Sequence, residues 1–218
     1  MGRPPAKAGA SAANASTWIQ PGIQTNLKLV EVTYGVSKNG NEFLAFYAQN
    51  EQGDRVSCTE WPVSPKKPLE QMTADELKKA QGAVDGQKEK IKQIVEVFFT
   101  KEELKAKPFA MTNVTTFKEM AEKVIAFLGD AYKNQLIRLK VVYDKKGWTT
   151  FGRSSRAVFI EPMTVTEEMS KIRILPSDIM IRPAQPDDEK KETNPESLID
   201  APTMLDAKVA GKEDDLPF

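Results

Sequence analysis

Residues 27–61, LKLVEVTYGVSKNGNEFLAFYAQNEQGDRVSCTEW, decide the fold. Branched and aromatic residues dominate 27–34, 43–48 and 55–61, as expected of strands. Lys38-Asn39-Gly40-Asn41 separates the first two runs, and Asn-Gly between extended runs is a strong hairpin signal. Gly53 lies in the second turn. In the third run alternation puts Arg55, Ser57, Thr59 and Trp61 on one face and Val56 and Cys58 on the other. Pro62 and Pro65 then stop it. The segment reads as a three-stranded meander.

Working outward, the period changes to 3.6 over about 66–133. Three capping boxes mark helix starts: Thr73 with Glu76, Thr100 with Glu103, and Thr116 with Glu119. Apolar stripes follow, Ile91/Ile94/Val95/Phe98 in a helix at 87–99 and Phe117/Met120/Ala121/Val124/Leu128 in a helix at 117–128. The β pattern returns at 136–143, with Ile137, Leu139, Val141 and Tyr143 on one side and Arg138 and Lys140 on the other. Residues 148–151 continue extended after the turn at 144–147, and 157–160 form a further short strand. Three strands, a helical connection and two or three more strands match the order of a five-stranded oligonucleotide-binding (OB) barrel. The expected architecture is therefore mainly β, with a large helical insertion between strands three and four.

The ends differ in composition. Residues 1–17 are rich in Ala, Gly, Ser and Pro and read as a disordered arm before a domain at 18–183. Residues 184–218 are charged and poor in aromatics and read as a disordered acidic tail. The chain of 218 residues carries 31 basic and 31 acidic residues. Ten acids and four lysines fall in 184–218, net −6, which leaves net +6 in 1–183. A basic body with an acidic tail points to a polyanionic partner.

The sequence contains no histidine, which excludes Ser-His-Asp and Cys-His catalysis and every His-containing metal site. No phosphate-cradling Gly-rich loop is present either. We therefore expect a non-enzymatic protein without a cofactor or metal. The single Cys58 cannot form an intramolecular disulfide and fits a reducing compartment. Without a membrane-length apolar run or a signal peptide, a soluble cytoplasmic protein is expected.

The densest basic segment, 138–156, holds Arg138, Lys140, Lys145, Lys146, Arg153 and Arg156 against one acid, Asp144, with Trp148 and Phe151 interleaved. Cations that follow phosphates, beside aromatic faces that stack on unpaired bases, are what single-strand binding requires. Trp61 and Arg55 share one strand face and join this candidate groove, and Lys28 and Lys38 extend it. Stacking accepts either sugar, so DNA and RNA both remain open.

Glu213-Asp-Asp-Leu-Pro-Phe218 resembles the C-terminal tip of bacterial and phage single-stranded DNA-binding proteins. That resemblance implies sequence-independent binding of single-stranded DNA in replication, recombination and repair. It also implies a tip in which Asp214 and Asp215 supply charge while Leu216, Pro217 and Phe218 anchor in an apolar pocket. The implied partners are polymerase, primase-helicase or nuclease proteins. The helical block and the linker, which is not Gly/Gln-rich, look more like a phage-encoded relative, active in the host cytoplasm, with monomer and homo-oligomer both open. The alternative is a replisome adaptor or recombination mediator whose OB domain mainly binds protein.

Overall fold

The computed structural model describes residues 18–64, 67–112, 114–152 and 154–184. The expected arm, nearly all of the expected tail with its tip, and Arg153 lie outside them. The chain divides into two units, Met1–Pro183 and Ala184–Phe218, and the description concerns the first.

Six strands, β1 (Gly22–Val36), β2 (Glu42–Gln49), β3 (Arg55–Glu60), β4 (Leu136–Tyr143), β5 (Thr149–Phe151) and β6 (Ile160–Pro162), form one sheet. The order is β3-β2-β1-β4-β5, with β6 also on β4, and every pairing is antiparallel. The meander stands where the branched and aromatic runs placed it. The last strand begins at Ile160, later than the 157–160 the sequence indicated, and the sheet has six strands where five were expected.

β1 pairs with two neighbours through different halves. Gly22 to Lys28 face β4, and Lys28 to Val36 face β2. Register breaks at Gln24/Leu27 and Leu29/Glu31 bend it between these partners, and Asn26 adopts a φ of 57° at the first break. Bulges of this kind sharpen twist and re-aim a strand. The sheet curls so that β5 returns to within 8 Å of β3 between Cα atoms, although no hydrogen-bonded ladder joins them.

All three hairpin turns are built alike. Gly40 N donates to Ser37 O, Gly53 N to Asn50 O and Gly147 N to Asp144 O, with the glycines at φ of 75°, 92° and 75°. Each is a three-residue loop closed by a left-handed glycine. In each the first residue's side-chain oxygen accepts the N–H four positions on: Ser37 from Asn41, Asn50 from Asp54, Asp144 from Trp148. Asn39 keeps a negative φ, so the Asn-Gly signal marked the hairpin but not a two-residue turn.

Helices α1 (Ala74–Glu96), α2 (Lys101–Ala106) and α3 (Phe117–Leu128) follow a 3-10 turn at Leu69–Gln71. Each begins at the threonine its capping box indicated, with both halves of the box formed. α1 runs unbroken through Gly82 and Gly86, so the helix expected at 87–99 starts thirteen residues earlier, at Ala74. Ile91, Ile94 and Val95 of α1 and Met120, Ala121, Val124 and Leu128 of α3 join the sheet's Leu29, Leu44, Phe46, Ile137 and Leu139 in a single core. The helical block thus shares its hydrophobic interior with the sheet and packs over β1 and β2 through α3.

The two faces of β4 correct the sequence reading. Arg138 and Lys140 were expected on an open face, yet both are buried. Residues 163–182 carry no strand or helix but lie over that face. Arg138 Nη1 donates to Val165 O at 3.2 Å and stands 3.8 Å from Glu161. Lys140, 0 % exposed, bonds Asp178 Oδ2 at 2.7 Å and Arg173 O at 3.0 Å. A buried cation requires such partners, and a distant segment supplies them. Phe151 is likewise in the core, because its ring joins Leu139, Val141 and Phe159 in the hydrophobic cluster that the curled sheet encloses. Tyr143, expected in the core, is half-buried.

Among the described residues no helix is long and apolar enough to cross a membrane, and no cluster of three potential ligands could hold a metal.

Candidate nucleic-acid interface

The chain has three tryptophans, and all three side chains are exposed: Trp18 by 52 %, Trp61 by 46 % and Trp148 by 58 %. Three adjoining clefts connect them. The first, about 640 Å³, runs from Gly40, Asn41 and Glu42 to Trp61. The second, about 560 Å³, lies between β3 and β5, with Trp61 at one side and Trp148 at the other. The third, about 200 Å³, separates Trp148 from Trp18. Neighbouring clefts share an indole, Trp61 between the first and second and Trp148 between the second and third, and together they mark a track from beside the β1–β2 hairpin to past the β4–β5 hairpin.

Each indole is carried by a fixed backbone. Trp61 leaves β3 with its ring 5.6 Å from Phe43, and its carbonyl accepts from Gln87 Nε2 of α1 at 2.8 Å. Glu60 beside it is buried, ion-paired with Lys90 and hydrogen-bonded by Gln87 at 3.1 Å, so α1 clamps the end of β3. Asp144 holds Trp148 by accepting its N–H at 2.9 Å and donating its own to the Trp148 carbonyl at 2.8 Å. Trp18 bridges Arg55, and Ile19 N donates to Arg55 O at 3.0 Å while the Ile19 side chain enters the core. β3, the β4–β5 hairpin and the segment before β1 thus each leave one indole in solvent.

The cations fall into two groups. Lys38 sits in the β1–β2 hairpin, Lys145 and Lys146 in the β4–β5 hairpin beside Trp148, Arg55 next to Trp18, and Arg182 in the third cleft. Lys28 and Arg55 are both exposed and flank Gln49 in one cross-strand row, about 10 Å apart by strand spacing. Arg156 is exposed beside α1, whose Gln93 bonds Ser155 O. Arg138 and Lys140 belong instead to the interior. The three carboxylates at the track, Glu42, Glu60 and Asp144, are each engaged by protein donors, Glu42 by the Tyr34 hydroxyl.

The structure thus gathers Trp61, Trp148, Arg55, Lys38, Lys145 and Lys146 and removes Arg138, Lys140 and Phe151. It adds Trp18, Tyr143 and Arg182, which the sequence reading did not place in the groove. A lone tryptophan closing a Ser/Ala-rich arm was a visible signal for Trp18; nothing local marks Arg182.

No family model matches this sequence, and no curated protein or solved structure matches it either.

Proposed function

We propose that this protein binds single-stranded DNA without sequence preference, as a non-enzymatic, phage-encoded member of the single-stranded DNA-binding class. It would act in replication, recombination and repair in the host cytoplasm. The strand order 3-2-1-4-5, the return of β5 to β3 and the helical link from β3 to β4 support an OB barrel carrying one extra strand. In that fold oligonucleotides lie on strands two and three between the β1–β2 and β4–β5 hairpins. The observation that carries the reading is the run of three exposed tryptophans along that path. Stacking contributes about 1–3 kcal/mol per base whatever the base. Asp214, Asp215, Leu216, Pro217 and Phe218 would recruit replication and repair proteins.

Arg182 lines the third cleft, and four more exposed cations, Lys38, Arg55, Lys145 and Lys146, neighbour residues that line the three clefts. If each met one phosphate, log K would fall with log salt at a slope of roughly −3 to −4. Titration of tryptophan fluorescence with oligo-dT and with duplex at several salt concentrations tests the proposal. Quenching by oligo-dT alone, with that modest slope, is expected. No quenching at any salt refutes it and favours the adaptor reading. Capture of host replication proteins with and without Phe218 tests recruitment separately.

A further inference from the structure

The third cleft brings the two indoles that line it close to each other. The centroids of Trp18 and Trp148 are 6.4 Å apart and their planes meet at 57°. A base sandwiched between two rings needs two stacking gaps of roughly 3.4 Å, close to 7 Å in all. The rings already stand near that separation, so they must rotate toward parallel but hardly move apart. Their backbones are pinned, Trp18 through Arg55 and the buried Ile19, Trp148 through Asp144, while both side chains face solvent. The rotation therefore concerns side-chain torsions alone.

Other residues define the chemistry of the occupant. Tyr143, Gln20 and Arg182 complete the wall. A guanidinium at the rim disfavours a cationic guest, which excludes the quaternary-ammonium ligands that aromatic cages take. It suits a planar ring attached to an anion. Thr149 also lines the cleft, and its buried Oγ1 has no hydrogen-bond partner among the described residues. At about 200 Å³ the space suits one ring system rather than a stack.

We propose that Trp18 and Trp148 form a slot that takes one nucleobase between their faces, with Arg182 meeting the adjoining phosphate. The inference rests on the single-strand reading above and names a subsite within it, at the end of the track beyond the β4–β5 hairpin. The slot grips a base on both faces, whereas Trp61 offers one face only. It is the point at which the strand is held.

Anisotropy of labelled oligo-dU and oligo-U of equal length, with the full chain, tests the slot and identifies the sugar. Trp18→Ala and Trp148→Ala should each weaken binding roughly 5- to 150-fold, the range for loss of one stacked base. The double variant should be little weaker than either single one, because a base loses the sandwich when either wall goes. Trp61→Ala combined with Trp148→Ala should multiply instead, as independent positions do. Trp18→Phe, which keeps an aromatic face, should recover part of the loss, and that recovery separates stacking from misfolding. Wild-type affinity for Trp18→Ala, or multiplicative losses in the Trp18/Trp148 pair, overturns the slot while leaving the single-strand reading intact. Failure of the wild type to bind either oligonucleotide overturns that reading instead. Whichever polymer the wild type binds supplies the base.

Discussion

Replacing Lys140 by Met separates a structural role from a nucleic-acid role for the basic residues of β4. The ammonium is fully buried, 2.7 Å from Asp178 and 3.0 Å from the Arg173 carbonyl, and Asp178 also accepts Leu175 N at 2.7 Å. Methionine keeps most of the volume but strands the carboxylate. Removing one partner of a buried pair destabilises by about 3–5 kcal/mol. For a chain of this size each kcal/mol moves the melting temperature by about 2–4 °C, so the variant should melt roughly 6–20 °C lower. Lys140→Met with Asp178→Leu removes both charges and should restore most of the loss. Calorimetry reads both, and oligo-dT titration well below the melting temperature should give the wild-type salt slope for each folded variant. Lys145→Ala should do the reverse, leaving the melting temperature alone and reducing the slope by about 0.7. If Lys140→Met melted like the wild type and also flattened the slope, Lys140 would be a phosphate ligand and the burial of β4 would be refuted.

Other outcomes are within reach of the same assays. Gly147→Ala places a side chain at a φ of 75° and should destabilise by about 1–2 kcal/mol while weakening binding, because that loop carries Trp148; Gly82→Ala, in open space on α1, should stabilise by about 0.5–1 kcal/mol without touching affinity. The carboxyls of Glu76, Glu103 and Glu119 are held below the usual range, Glu76 first by Lys67 and then by Thr73, Glu103 by the Thr100 N–H and Glu119 by the Thr115 N–H. Their contribution is complete above their unfolded value near 4.5 and is lost as pH falls through their lower folded values, so helical circular dichroism should weaken first below that point. Glu96, raised by burial, works in the opposite direction. Tyr34 donates to Glu42 and is pushed up to about 12, so ultraviolet titration should show one tyrosine ionising late, and Glu42→Gln should bring it down.

What was legible in the sequence was local. A capping box involves four consecutive residues, and all three formed at the predicted threonines. A glycine three places after Ser37, Asn50 or Asp144 fixed each hairpin. Alternation correctly divided Arg55, Ser57 and Thr59 from Val56 and Cys58, because the outer face of β3 has no second layer over it. The same rule failed for Arg138 and Lys140. Alternation distinguishes two faces but says nothing about what covers each, and their covering comes from residues around 165 and 178 that carry no periodicity of their own. Trp18 escaped for a related reason: its place beside Trp148 depends on a backbone bridge to Arg55, 37 positions away.

The divided pairing of β1 has a consequence for how the chain is made. Leu27 must wait for Ile137, 110 positions later, before that half of the strand has a neighbour. At translation rates of about 5–20 residues per second the delay is roughly 6–22 s. During it the hairpin of β1 and β2 can form, but the half of β1 around Leu27 offers unpaired backbone groups and an apolar face. The helices are synthesised within that interval, and α3 packs against both β1 and β2. They can shelter the meander before β4 arrives, which makes the long connection a guard for the nascent sheet as well as part of its finished core.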